Sequence, residues 1–399
     1  MSAPINVLYA HTLANRDETE WEPLNVHLTS TAEMAERCTS VFTAVGWGSV
    51  LGRCHDLGKA SAEFQAKLRA ANPREARNAG MEDSAIVHRV DHSTFGARYV
   101  KEHAGPIVGE LLAYCIAGHH AGLPDGKVTE DASSKSTLEV RLDSARIALP
   151  RVADPGLVLP PLEMRFHPSA ADMPFALAFF TRMLFSCLID ADRTCTERFC
   201  DPEQAAQRRV LRPSIANLES ALHIYLDSMM RTAPVTEVNR QRAFVLQQCQ
   251  LASTGTPGFF SLQVPTGGGK TLSSLAFALA HAQVNGLRRV VIAIPFTSII
   301  EQTAEVYRRA LGPLAEHGLV EHHTDLKPEN ETRENQFATE IGTHRSSSPP
   351  TCGCSKAYLP QEHRPAASCT GWRAALSFWT KRRHCLSTCL PPHCAPCVN

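Results

Sequence analysis

The chain has 399 residues, which is enough for two or three domains with buried cores. Forty Lys and Arg residues balance 40 Asp and Glu residues, and this net charge of zero excludes the global basic character of many nucleic-acid-binding proteins. No apolar run approaches the roughly 18 residues of a membrane span, and the N-terminal sequence lacks the pattern of a signal peptide. We therefore expect a cytoplasmic protein without a membrane partner.

The first predicted helix begins near Leu24 and carries His27, with apolar residues near the 3.6-residue spacing of a helix. A second amphipathic helix follows Gly46 and leads into the run His55-Asp56-Leu57-Gly58-Lys59. Within this run, Gly58 suits the left-handed position that closes a helix. A His-Asp pair alone is a weak signal, because a two-residue match occurs by chance in most chains of this size.

Three later segments add side chains of the same ligand type. A helix is predicted to begin within residues 91–97, with His92 at its start. A buried helix over 111–117 leads into His119-His120, and an apolar helix over 175–189 runs into Asp190-Ala191-Asp192. Residues two apart lie on different faces of a helix, so only one of these two acids should face a shared site.

In chain order these residues give the series His, His-Asp, His, His-His, Asp, which is typical of a helical metal-dependent phosphohydrolase. Imidazole and carboxylate groups without a thiolate favour Mg, Mn, Fe, Co or Ni over a structural zinc ion. So many ligands exceed the need of one ion, and we expect two divalent ions bridged by Asp56, an arrangement suited to phosphodiester cleavage. Lys59 either neutralises a phosphate oxygen or is a solvated lysine at a helix end, and the sequence leaves both open.

The character of the chain changes after a predicted linker and helix at 216–238. From Asn239 onward the pattern predicts an α/β fold, with strands at 259–264 and 290–295 and helices at 272–281 and 297–311. Such strand–helix–strand spacing gives parallel pairing with a right-handed crossover. Between the first strand and its helix lies Pro265-Thr266-Gly267-Gly268-Gly269-Lys270-Thr271.

This glycine-rich turn has the features of a nucleotide phosphate site. Its backbone N–H groups and the following helix N-terminus favour phosphate, with Lys270 at the β- and γ-phosphates of ATP and Thr271 at Mg²⁺. Val264 replaces the first glycine of the usual pattern, and the form found here is typical of helicases.

Together these motifs resemble the CRISPR-associated type I nuclease–helicase family, over residues 9–340. The resemblance implies a multidomain chain in which an all-α HD nuclease domain precedes a partial α/β RecA-like helicase lobe. It also implies single-stranded DNA and a crRNA-guided surveillance complex as partners in the degradation of foreign DNA, with the HD domain hydrolysing phosphodiesters and the helicase lobe binding ATP.

The resemblance assigns roles to residues of both motifs. His55, Asp56 and Lys59 are the expected catalytic residues, and Arg240 is expected in the adenine-recognising segment beside Thr266, Gly267, Gly268, Gly269, Lys270 and Thr271. Asp192 is preferred to Asp190 because it matches the Ala-Asp ending of the family motif. The implied metal ligands are His27, His55, Asp56, His92, His119, His120 and Asp192.

The sequence departs from this family after residue 340. Residues 341–399 hold seven of the 14 cysteines and seven Lys or Arg residues but a single acid, Glu362, and no Walker B box follows. We therefore expect an out-of-frame, disordered tail caused by loss of one base near codon 341, since a shifted frame can encode Asp-Glu-Ala-Gln. The expected division is then 1–215 nuclease, 216–238 linker, 239–340 partial helicase lobe without helicase activity, and 341–399 tail.

Two other functions stay open at this point. One is an HD-type nucleotide phosphohydrolase that acts on small molecules, although the added glycine-rich segment disfavours it. The other is an inactive fragment that only binds the surveillance complex.

Overall fold

A computed structural model describes residues 7–72, 90–126, 137–143, 159–207, 212–294, 296–322, 355–359 and 375–379. The chain divides into two compact units, and the division falls after Gln207. The sequence predicts a boundary at 215, which is the first residue of the first helix of the second unit. Each unit has a hydrophobic core of its own.

The first unit is helical apart from one short pair of strands. Strands β1 and β2 pair antiparallel, and 3-10 turns lie at Glu18–Glu20 and Leu57–Ala60. The strands are β1 (Tyr9–His11) and β2 (Glu22–Pro23). The helices are α1 (Leu24–Ser40), α2 (Trp47–Cys54), α3 (Ala62–Ala71), α4 (Ser93–His103), α5 (Pro106–Gly118), α6 (Leu138–Asp143), α7 (Met173–Cys200) and α8 (Pro202–Gln207).

The core of this unit lies among α2, α4, α5 and α7. Trp47, Leu51, Leu112, Leu184 and Leu188 are completely shielded from solvent there. Each such aliphatic side chain contributes about 1.5–3 kcal/mol through removal from water. Six of the seven described cysteines are buried, as is usual for reduced thiols in a protein core. This packing fixes the ends of α2 and α5, where the predicted ligands are placed.

Gly58 has a different role from the predicted one. It lies in the 3-10 turn after α2 and does not adopt a positive φ, so it is not a left-handed helix cap. A Cβ atom built on Gly58 would lie 2.2 Å from the backbone oxygen of His92, far inside contact distance. Glycine is therefore needed because the backbone before α4 packs directly against this turn.

Helix α7 is longer than the sequence predicts. By length and composition alone it is apolar enough to cross a membrane. However, it carries Asp190 and Asp192, which are both buried in the first unit, and it packs on α1 and α5. Since buried core helices have the same composition, its role in this unit accounts for its hydrophobicity. The helix also continues past the predicted end at Ile189, so both acids lie inside it.

The second unit combines helices with a four-stranded sheet. The strand order is β4-β5-β3-β6, with β6 parallel and β5 antiparallel to β3. Buried residues of three helices, including Leu222, Leu279 and Ile300, form one core with strand β3. The helices are α9 (Ile215–Thr232), α10 (Glu237–Ala252), α11 (Lys270–Val284), α12 (Thr297–Leu311) and α13 (Ala315–Gly318). The strands are β3 (Arg289–Ile294), β4 (Val320–His322), β5 (Ser355–Leu359) and β6 (Ala375–Trp379).

One prediction about this unit is wrong. Residues 259–264 do not form a strand, and Phe259 is 95% exposed. Both edges of β3 are taken by β5 and β6, so the segment before the glycine-rich turn has no place beside β3. Strands β5 and β6 are the described parts of 341–399, and the expected disordered tail otherwise falls outside the described residues. The shifted reading frame stays a prediction that the nucleotide sequence of the gene tests.

Candidate metal centre

The predicted ligands of the first unit meet in one place. They form two groups of four side chains whose ligand atoms lie within 4.8 Å of one another, and Asp56 belongs to both groups. The first group is His27, His55, Asp56 and Asp192. The second group is Asp56, His92, His119 and His120. All seven residues from the sequence are therefore brought together, although they come from five separate segments.

The first group is enclosed by α1, the end of α2 and α7. His27 Nε2 lies 3.5 Å from Asp56 Oδ2 and 3.3 Å from Asp192 Oδ1. His55 Nε2 lies 3.2 Å from Asp56 Oδ2 and 3.5 Å from Asp192 Oδ1. All four residues are buried. Asp190 is buried but belongs to neither group, as expected for a residue two positions from Asp192 on one helix.

The second group uses the other oxygen of Asp56. His92 Nε2 and His119 Nε2 lie 3.5 Å and 3.3 Å from Asp56 Oδ1. His92 Nε2 also lies 2.7 Å from His120 Nε2. His119 is buried, His92 is half-buried and His120 is exposed. The centre is thus closed on the side of the first group and open on the side of His120.

Backbone structure fixes the orientation of several imidazole rings. His55 Nδ1 lies 2.9 Å from the carbonyl oxygen of Gly52, and His119 Nδ1 lies 2.7 Å from that of Ile116. Each is a hydrogen bond from the ring N–H to a carbonyl in the preceding helical turn. A histidine that donates from Nδ1 keeps the lone pair on Nε2, which is the nitrogen turned toward Asp56 here. The ends of α2 and α5 therefore aim the rings at the centre.

Asp91 holds the start of α4 and so positions His92. Its carboxylate accepts hydrogen bonds of 3.1 Å from the backbone N–H groups of Ser93 and Thr94. His92 itself is the capping residue of α4 but uses no side-chain hydrogen bond for the cap. Because Asp91 satisfies the helix N-terminus, the His92 ring is available to the second group.

Lys59 is not a solvated lysine, and that alternative for the residue is wrong. Its side chain is only 5% exposed and its Nζ lies 2.8 Å from Asp56 Oδ2. The 3-10 turn that follows Asp56 carries Lys59 back toward the carboxylate. A cation is therefore built into the centre beside the residue shared by both groups.

In the first group, the carboxylates and the imidazoles shift one another's pKa values. Burial alone lowers the pKa of His27, but hydrogen bonds to Asp192, Asp56 and Glu22 outweigh burial and raise it to about 11. His55 behaves in the same way: the Asp56 charge overcomes burial, and the pKa rises to about 9. Burial favours neutral carboxyls, yet the neighbouring imidazoles, with Lys59 beside Asp56, hold the pKa of Asp56 and Asp192 well below the ordinary value. Without metal, protons on the rings balance the buried carboxylates.

The donor set fits divalent cations. In the described part of the chain no donor is aligned with Oδ1 of the fully buried Asp56, while the Lys59 ammonium lies 2.8 Å from Oδ2. Buried carboxylate oxygens are rarely left in this state unless a cation takes them. Imidazole nitrogens and carboxylate oxygens, with no thiolate near, are ligands of Mn, Fe, Co, Ni or Mg. Two ions that share Asp56 would use every residue of both groups.

Two residues of this region have no signal in the sequence. His11 and Glu22 form a third group with His27, with His11 Nδ1 2.7 Å and His27 Nδ1 3.4 Å from Glu22 Oε2. His11 and Glu22 lie opposite each other in the β1–β2 pair. Only the strand pairing could reveal this, because neither residue belongs to a spaced motif.

The glycine-rich turn of the second unit leads directly into α11. Gly267 and Gly269 have φ values of 85° and 84°, which favour glycine, and Lys270 is the first residue of the helix. The guanidinium of Arg242 donates a 2.8 Å hydrogen bond to the Gly267 carbonyl. Arg240, the predicted adenine-recognising residue, is exposed and pairs with Glu237 at 3.2 Å. Arg242 is thus the arginine that contacts the turn.

One comparison with protein families matches part of the first unit. Residues 12–155 match the family model described as Cas3, HD domain. The match supports a Cas3-like HD nuclease domain, and such a domain implies a metal-dependent hydrolase. A comparison with curated proteins gives no match.

Several solved structures are similar at low identity. The ATP and ADP complexes of T. fusca Cas3 are each 16% identical with a TM-score of 0.40, covering 77% and 92% of this chain and 38% and 44% of theirs. A CRISPR-associated protein is 19% identical with a TM-score of 0.37, covering 73% of this chain and 36% of its own. The chain therefore spans less than half the length of these proteins.

Proposed function

We propose that this chain is a CRISPR-associated nuclease whose Cas3-like HD domain hydrolyses the phosphodiester bonds of single-stranded foreign DNA with two divalent metal ions. The observation that carries the proposal is the pair of four-residue groups that share Asp56. A single buried carboxylate with imidazoles on both of its oxygens suits two ions held a few Å apart. The family match over residues 12–155 supports the same chemistry.

Each part of the centre has a task in this reaction. When bound, a pair of divalent ions lowers the pKa of water and stabilises charge on the attacking and leaving oxygens of a phosphodiester. Asp56 belongs to both ligand groups and so fixes the distance between them, and the residues of the first group are buried. His120 marks the open side, so DNA reaches the centre past His120 and His92. Lys59 Nζ, 2.8 Å from Asp56, adds positive charge where a phosphate approaches.

The test compares two histidines that each lie at the C-terminal end of a helix, one buried and one exposed. His119→Ala removes a member of the second group, whereas His103→Ala removes a histidine that also ends a helix and lies 2.8 Å from a backbone carbonyl but belongs to neither group. Labelled single-stranded DNA is incubated with each purified protein and Mn²⁺, Ni²⁺ or Mg²⁺. Cleavage should be lost in His119→Ala, kept in His103→Ala and abolished by a chelator.

The substrate class needs its own comparison. Single-stranded DNA, cyclic mononucleotides and guanosine tetraphosphate are offered to the same preparation under the same metal. The proposal expects DNA cleavage to exceed turnover of the nucleotides. Hydrolysis of the nucleotides alone would contradict it and favour a small-molecule phosphohydrolase. Failure of a folded, metal-loaded protein to cleave any of them would favour an inactive binding protein.

We also propose that the glycine-rich turn at 266–271 binds ATP with Mg²⁺. Support comes from the two positive-φ glycines and from the helix N-terminus at Lys270, which together suit phosphate. The proposal for this segment is limited to nucleotide binding. Lys270→Ala should weaken binding of a fluorescent ATP analogue, while Arg240→Ala should have little effect, since Arg240 pairs with Glu237 instead.

The remaining part of the proposal concerns partners and location. A nuclease of this type acts in the cytoplasm after a crRNA-guided surveillance complex has opened the target DNA. Binding of the full chain to the DNA-loaded complex, measured against the complex without DNA, tests this. Equal binding to both, or binding to neither, would contradict the partner assignment.

A further inference from the structure

We infer that Glu22 is a positioning residue for the proposed metal centre, with His11 as its support. This inference rests on the proposed function, because it concerns the side of His27 that faces away from the ions. Glu22 is only 5% exposed, although it lies on a two-residue strand near the N-terminus. A buried carboxylate needs hydrogen-bonding or charged partners that offset the free-energy cost of removing it from water.

The partners of Glu22 are two imidazole rings. His11 Nδ1 lies 2.7 Å from Glu22 Oε2, which is a short hydrogen bond. His27 Nδ1 lies 3.4 Å from the same oxygen. The antiparallel pairing of β1 with β2 places His11 opposite Glu22, and α1 begins one residue after β2 with His27 in its first turn. Local backbone structure therefore directs all three side chains to one point.

His27 differs from the other buried histidines of the centre in what its Nδ1 faces. The Nδ1 atoms of His55 and His119 are bonded to backbone carbonyls at the ends of their own helices. His27 lies in the first turn of its helix, and its Nδ1 has no well-aligned hydrogen bond in the described part of the chain. Glu22 is the carboxylate beside that nitrogen. It therefore selects the tautomer in which Nε2 keeps its lone pair for an ion.

His11 lies between Glu22 and Lys59 and contacts both. Its Nε2 lies 3.2 Å from Lys59 Nζ, which is in turn 2.8 Å from Asp56 Oδ2. The ammonium of Lys59 can only donate, so His11 accepts at Nε2 and donates from Nδ1 to Glu22. Glu22 thus stabilises one tautomer in each ring.

The test isolates each ligand group in the full-length chain. His119→Ala disables the second group and leaves the first, while His55→Ala disables the first and leaves the second. Glu22→Ala and Glu22→Gln are placed in both backgrounds, with Glu20→Ala as the control, because Glu20 is a neighbouring exposed acid paired with Arg16. The affinity for Mn²⁺ is measured from the electron paramagnetic resonance signal of the free ion, and circular dichroism verifies folding.

The expected result is selective. In the His119→Ala background, Glu22→Ala should weaken Mn²⁺ binding by about 10–100-fold, and Glu22→Gln should weaken it less because the amide oxygen still accepts from His27. In the His55→Ala background, both variants and the Glu20→Ala control should change the affinity by less than about threefold, which is within the context dependence of such contacts.

Different failures have different meanings. Equal losses in both backgrounds would assign Glu22 a general structural role and overturn the inference. Unchanged affinity in the His119→Ala background would overturn it as well, while the proposed metal centre stands. If the unmodified chain binds no Mn²⁺, the proposed function and this inference fall together.

Discussion

Replacement of Asp56 by asparagine is the most informative single change in the centre. The variant keeps the size of the side chain but removes the charge of the one residue that belongs to both ligand groups. Asp56 is completely buried and has four imidazole rings and the Lys59 ammonium within 3.5 Å of its oxygens. Its loss therefore affects metal binding and the stability of the metal-free protein at once.

The structure sets the size of the effect on stability. In Asp56→Asn, the Lys59 ammonium stays buried without the carboxylate that lies 2.8 Å away in the unmodified chain. Breaking a buried ion pair by removing one partner costs about 3–5 kcal/mol. For a unit of about 200 residues, each kcal/mol lowers the melting temperature by about 2–4 °C, so the metal-free variant should melt about 6–20 °C below the unmodified protein.

The assay is thermal unfolding of chelator-treated protein, followed by a metal-content measurement after reloading with Mn²⁺. The unmodified chain should hold two ions and Asp56→Asn fewer than one. The double variant Asp56→Asn with Lys59→Met should recover part of the melting temperature, because no buried charge is then left unpaired, but it should not recover the ions. A single variant that melts within about 2 °C of the unmodified protein and still holds two ions would refute the reasoning.

Four further predictions concern Gly58, the pH dependence of metal binding, the pH dependence of stability, and Lys270. Gly58→Ala places a Cβ atom 2.2 Å from the His92 backbone oxygen, so it should lower the melting temperature and weaken the second group, measured by unfolding and Mn²⁺ titration. Raised pKa values, about 11 for His27 and about 9 for His55, mean that the entering ions displace protons, so Mn²⁺ affinity should rise with pH by up to about tenfold per unit for each proton. Without metal, the pH dependence of stability has the opposite sign. The stabilisation from protonated His27 and His55 is fully present below the ordinary pKa of 6.5 and is lost as the pH rises through about 9 and about 11. Unfolding measured at several pH values checks this. Lys270→Ala should weaken ATP binding but leave metal-dependent DNA cleavage unchanged, since Lys270 belongs to the other unit.

Much of the helical unit follows from local sequence patterns. Helix α1 begins at Leu24 as predicted, and α12 spans Thr297–Leu311 as predicted, because apolar spacing and chain-breaking residues define both ends. The strand at 259–264 fails for a non-local reason. Its apolar composition suits a strand, but a strand exists only if a neighbour is free to pair with it, and β5 and β6 flank β3.

The ligand series shows the same division between local and non-local information. Residue types and their order draw attention to a series of histidines and acids, and the family resemblance implies the ligand set His27, His55, Asp56, His92, His119, His120 and Asp192. The sequence alone also favours one acid of the 190–192 pair, since helical geometry separates their faces. The structure brings the seven residues together, and their binding of metal is for the titrations above to test.

Only the tertiary structure decides how these residues divide into two groups and which other side chains contact them. Asp56 is shared because its two oxygens face different groups of ligands. One group includes residues of α1 and α7, and the other lies at the start of α4 and the end of α5. Lys59 is buried rather than solvated because the turn after Asp56 folds back on the carboxylate. Glu22 and His11 meet through strand pairing and approach His27 and Lys59 through packing. Sequence fixes which groups are available, whereas distances between them depend on contacts across the whole unit.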